Sequence, residues 1–155
     1  MTKDRQLGNP GLVKVTFILA PGEWHGSATE TLWAQPVGSG LYRLDNSPFF
    51  AFGISHRDVV VAGEEGGKLV FLRAASRGGH STYRILLKGS ERGAFGRYWK
   101  PLQDAGCSYE EGPAPLLAVD VPPGADIYEV YRLLQAGEDA GVWSFEEGHC
   151  GHAVG

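Results

Sequence analysis

Cysteine is scarce in this chain: Cys107 and Cys150 are the only two in 155 residues, too few and too far apart for a disulfide framework. Long apolar runs are missing as well. Stretches such as Leu116 to Val119 fall far short of a bilayer span. The polar opening from Met1 to Gly11 has no apolar signal core, so a cytoplasmic, reducing location and no membrane partner are expected. Basic residues are thinly scattered, 14 Lys and Arg against 18 Asp and Glu, for a formal charge of -4, and only Arg92, Arg97 and Lys100 bunch. Phosphate binding needs clustered cations, which argues against nucleic acid as a partner. There is no Gly-x-x-x-x-Gly-Lys loop, no dinucleotide fingerprint and no His-Glu-x-x-His helix, and no cofactor is expected.

What remains is an ordinary globular composition, 43% apolar and 21% charged, long enough to bury a core. Glycine (23) and proline (9) make about a fifth of the chain, which calls for short elements and tight turns. Val13, Val15, Phe17 and Leu19 alternate with Lys14, Thr16 and Ile18 at the period of a half-buried strand. Thr29 to Val37 and Leu41 to Leu44 flank a glycine loop as a hairpin. Val59 to Val61 and Leu69 to Leu72 flank another around Glu64 to Gly67. Five short strands over 12–77 predict a small all-β, barrel-like lobe.

The rhythm changes at Arg77-Gly78-Gly79. A strand over Thr82 to Lys88 precedes a helix capped by Ser90 and running to about Ala105, which Gly93, Gly96 and Pro101 weaken, so that a kink or an early end is expected. Strands near Cys107–Glu111 and Leu116–Val121 follow. Asp126 and Glu129 then form a capping box for a second helix, which Gly141 stops before a last strand over Val142 to Glu147. The order β-α-β-β-α-β over 78–148 is that of a ferredoxin-like lobe, so the fold class is α+β. Residues 1–11 and 149–155 read as flexible ends.

The blocks Glu30-Thr31-Leu32-Trp33-Ala34, Asn46-Ser47-Pro48-Phe49-Phe50 and Gly79-His80-Ser81-Thr82-Tyr83-Arg84 carry a resemblance. From about Val13 to Glu147 the chain resembles an uncharacterised bacterial, largely actinobacterial, domain family of unknown function. His56 and Arg57 depart from it, standing where less bulky or differently charged residues are expected. The resemblance supports the boundaries and implies no activity.

The segment from Gly78 to Thr82 carries the most chemistry. Its glycines allow close backbone approach, His80 offers a titratable ring, Ser81 and Thr82 offer hydroxyls, and Arg84 could hold an anion; with Asn46 these form a candidate ligand site in a cleft between the lobes. A glycine turn entering a strand explains the same residues without a ligand. In the tail, His149, Cys150 and His152 are weak metal candidates, because a closed zinc site needs four ligands and only three are local. Trp24, His25, Phe49 and Phe50 form a candidate interaction surface, with core packing as the alternative for the two phenylalanines. The pairs Glu64-Glu65, Glu110-Glu111 and Glu146-Glu147 sit at strand ends, where solvated charge is normal.

Without an assembled catalytic constellation, a non-catalytic binding or regulatory protein is expected. Its acidic balance would steer it to a basic protein partner, a neutralised toxin among the possibilities. The alternative is a small enzyme or ligand sensor using His80 and Arg84.

Overall fold

The computed structural model describes residues 11–20, 28–89 and 92–154. Within them the chain is mixed α+β and mostly strand, with two sheets and two helices. Strands β1 (Val13–Ile18), β2 (Thr29–Gly38), β3 (Leu41–Leu44), β4 (Val59–Glu65) and β5 (Lys68–Ser76) pair antiparallel in chain order. Parallel pairing of Val15 with Leu69 then closes the set into a barrel. The two-residue period turns Val15, Phe17 and Leu19 inward, and Phe17 stacks on Phe71 with ring centroids 4.6 Å apart. Gly66 and Gly67 both take positive φ (59° and 81°), the backbone that a two-residue hairpin needs.

The long connection from Asp45 to Asp58 is irregular, and it is the part of the barrel that meets the rest of the chain. Ala51 and Ile54 pack into the barrel core. The buried Glu30 carboxylate accepts the amides of Phe49 (2.5 Å), Phe50 (3.0 Å) and Ala51 (2.9 Å), which satisfies three donors no strand could pair.

The second sheet contains β6 (Ser81–Leu87), β7 (Ser108–Glu111), β8 (Leu116–Val121) and β9 (Trp143–His149), ordered β7-β8-β6-β9 and antiparallel throughout. Helices α1 (Arg92–Asp104) and α2 (Ile127–Asp139) cover one face, where Tyr83, Ile85 and Val119 pack with Trp99, Leu102, Val130 and Leu134. α1 runs on through Pro101, correcting the expected early end. The missing amide falls in the last turn, where Trp99 and Leu102 anchor the helix in the core. Gly106 (φ 104°) ends it, with Cys107 N–H on the Leu102 carbonyl and Gly106 N–H on that of Gln103. Burial pushes the Cys107 thiol up to about 12, with the Asp120 charge adding to the effect, so it packs as an apolar group.

Asp126 caps α2 by accepting the amides of Tyr128 and Glu129, whereas the Glu129 carboxylate holds Arg132 instead of completing a reciprocal box. The proposed cap Ser90 lies outside the described residues. Among the described residues no helix is long and apolar enough to cross a membrane.

The face of β6 turned away from the helices meets the barrel. Thr82 donates its hydroxyl to Ser55 (2.7 Å), Arg84 Nη2 bonds the Ala51 carbonyl, and Gly53 N–H reaches the Gly148 carbonyl at 3.0 Å. This polar seam positions the candidate site.

Candidate functional site

One buried carboxylate organises the seam. Asp58 has no exposed side-chain surface and accepts the amides of Ser55 (3.0 Å) and Gly78 (2.9 Å) together with Arg77 Nη1 (3.0 Å). Its own amide returns to the Ser55 carbonyl at 3.1 Å, closing a four-residue turn over Ser55–Asp58. The third residue of that turn is Arg57, with φ at 76°, a region that favours glycine. The turn therefore holds His56 at its corner against a backbone preference. Gly78 fits beside it because a Cβ there would stand 2.7 Å from the Arg57 carbonyl oxygen. The glycine thus admits another backbone.

Three side chains converge above this crossing. His80, just before β6, lies with Nδ1 2.9 Å from Asp120 Oδ1 and 3.1 Å from Oδ2. A carboxylate accepts, so the His80 Nδ1–H donates and Nε2 is left to the surroundings. His56 approaches from the barrel, its Nδ1 3.8 Å from Asp120 Oδ2 and its ring edge-on to His80 at 5.2 Å between centroids. All three are partly exposed. His56 and Asp120 line a crevice of about 280 Å³ whose wall also includes Asp45, Ser47, Tyr109 and Glu110.

The other residues singled out from the sequence lie elsewhere. Ser81 and Thr82 are fully buried. His152 Nε2 donates to the Pro122 carbonyl at 2.9 Å, which makes its Nδ1 the acceptor for the Ser81 hydroxyl at 2.6 Å, while Ser81 Oγ accepts the Gly151 amide. Ser55 Oγ accepts the Thr82 hydroxyl, so its own hydroxyl donates to His149 Nδ1 at 2.9 Å. Desolvation by burial lowers the His149 pKa, with Arg77 adding to the effect, so the ring is suited to remain the neutral acceptor.

Arg84 is 2% exposed, lies 4.6 Å from the Phe52 ring centroid and faces Glu146 at 3.7 Å. It borders a separate cavity of about 230 Å³ with Leu86 and Leu116. Asn46 is a buried strut: its Oδ1 accepts the Trp33 amide at 2.8 Å and its Nδ2 donates to Glu110 at 3.1 Å, beside the Ser47 amide. Phe49 lies against Gly112 and Phe50 packs on the barrel core. Trp24 and His25 are outside the described residues.

The tail, expected to be flexible, is fastened by the Ser55–His149 and Ser81–His152 bonds. Gly151 crosses the His80 carbonyl too closely for any side chain. His149, Cys150 and His152 therefore point to different partners, with Cys150 Sγ on the His152 carbonyl at 3.5 Å.

Of the five candidate ligand residues, His80 alone borders the cluster. Sequence reasoning missed Asp120 and passed over His56. The signal for Asp120 was a lone carboxylate in the apolar strand Leu116–Val121. For His56 it was the departure noted at His56-Arg57, which falls on the strained turn.

The model of a domain of unknown function, DUF4265, matches residues 30–145, most of the chain. The protein belongs to the DUF4265 family. It is also similar to a crystal structure of a hypothetical protein from Neisseria gonorrhoeae. That match covers 90% of this chain and 96% of the other, at 18% identity and a TM-score of 0.74. At that identity the likeness concerns the fold alone. No curated protein matches the chain.

Proposed function

We propose that this DUF4265 protein is a non-catalytic binding protein whose crevice receives a basic side chain of a protein partner. The observation that carries this reading is the crevice wall, which includes three acidic residues, Asp45, Glu110 and Asp120, and one imidazole, that of His56. A guanidinium or ammonium entering it would gain charge-assisted hydrogen bonds in a partly desolvated setting. Ser55 and Ser81, the serines of both serine–histidine pairs, are fully buried, which supports binding over nucleophilic catalysis. We read 12–77 and 78–148 as two lobes, the second ferredoxin-like. The strand order β7-β8-β6-β9 with both helices on one face supports this.

Fluorescence anisotropy with short Lys- and Arg-rich peptides tests the proposal, with acidic peptides as the comparison. Basic peptides bind, more weakly as salt rises, and Asp45→Asn reduces affinity several-fold. Equal binding of both peptide types, or no effect of Asp45→Asn, contradicts it.

One observation favours a second reading, a small enzyme or ligand sensor. Asp120 supplies the orienting carboxylate that leaves His80 Nε2 placed to take or give a proton. A metabolite thermal-shift screen checks this reading. A ligand-induced shift lost in a folded His80→Gln variant supports it, and a shift that persists there rejects it.

A further inference from the structure

The geometry points to a divalent transition-metal site formed by His56, His80 and Asp120. This inference shares His56 and Asp120 with the partner reading, but it stands on three donor atoms and not on the charge of the crevice. One ring nitrogen from each histidine and one Asp120 oxygen all lie within 4.8 Å of one another, the single such grouping among the described residues. Donors about 2.0–2.1 Å from a tetrahedral ion sit roughly 3.4 Å apart. The two separations to the Asp120 carboxylate, 2.9 Å from His80 and 3.8 Å from His56, straddle that value. Seating an ion needs shifts of about half an ångström, with the His80 Nδ1 proton released to solvent.

The donors are also held as metal ligands usually are. Asp120 sits within β8, paired with Thr82 on one side and Ser108 on the other. His80 is fixed between Gly79 and β6, and His56 stands on the turn braced by Asp58. Side-chain exposures of 28% for His56 and 15% for His80 and Asp120 leave a path for entry. Two imidazoles and one carboxylate suit zinc or cobalt better than calcium or magnesium, which favour all-oxygen sets. Three protein ligands leave a coordination position for water or a further ligand. Because His56 comes from the barrel and the other two from the sheet, the ion would clamp the two together. Stability would then rise with free metal concentration.

Calorimetric titration of chelator-treated protein with zinc chloride tests the assignment, with the visible spectrum of the cobalt form as a second measurement. One equivalent binds, and the melting temperature rises with it. His56→Ala and His80→Ala each weaken binding by at least about 100-fold, beyond the usual effect of removing an outer-shell partner. Cys150→Ser leaves binding unchanged. Circular dichroism without metal shows which variants fold, and His56→Ala, on a partly exposed corner, keeps the test decisive if Asp120→Asn does not. Absence of saturable one-to-one binding overturns the site. Binding that survives both histidine variants, or that Cys150→Ser abolishes, does so too. Peptide anisotropy and zinc calorimetry are separate readouts, so either reading can fail alone.

Discussion

Two kinds of histidine pair meet along one seam. In Ser81–His152 and Ser55–His149 the serine is fully buried, and each hydroxyl is both given and approached by a neighbour, so the pair fastens the tail to the barrel and β6. In His80–Asp120 the bond is as short, yet both side chains are partly exposed and a second imidazole stands beside them. Similar side chains thus serve opposite ends. A buried serine whose hydroxyl both donates and accepts makes a strut, and a partly exposed imidazole–carboxylate pair beside a second imidazole makes a site.

The largest effect should come from the strut side. Asp58→Ala leaves the amides of Ser55 and Gly78 and the Arg77 guanidinium without their carboxylate and should cost about 3 kcal/mol in urea unfolding. It should also release the turn that carries His56. Gly78→Ala forces a methyl against the Arg57 backbone and should cost about 2 kcal/mol by the same measurement. Ser81→Ala strips His152 and Gly151 of their partner and should cost about 1–2 kcal/mol. His56→Ala, by contrast, should change stability by less than about 1 kcal/mol while weakening metal binding by at least about 100-fold. If it destabilises as much as Ser81→Ala, the distinction between strut and site breaks.

The smallest effect is a pH dependence. The His149 pKa is lowered in the folded chain, so the stability tied to its neutral form is complete above the unfolded imidazole value of about 6.5. It is lost as pH falls below that value, because the unfolded chain takes up the proton first. Melting temperatures across that range should decline more steeply for the wild type than for His149→Asn.

Much of the architecture was legible in the sequence because it rests on local signals. Alternation set β1, the Gly66-Gly67 pair set a hairpin, and Asp126, Gly106 and Gly141 bounded the helices. The site was legible only in part, since His80 was found by its glycine neighbours while its partners come from residues 24 and 40 positions away. No local period encodes a carboxylate on β8 facing a turn before β4. Ser81, Thr82, Arg84 and Asn46 misled for a related reason: polarity in a sequence does not reveal whether another segment will cover it. Here the 45–58 connection and the tail cover Ser81, Thr82 and Arg84, while Asn46 is taken up by Trp33 and Glu110.

Imidazole nitrogen NMR at about pH 8, before and after one equivalent of zinc, reads both sorts of histidine at once. His80 should carry its proton on Nδ1 and His149 and His152 theirs on Nε2, with only the His56 and His80 signals moving when the metal arrives. Tail resonances that shift instead, or a His80 protonated on Nε2, would show that the open cluster and the closed struts have been assigned the wrong way round.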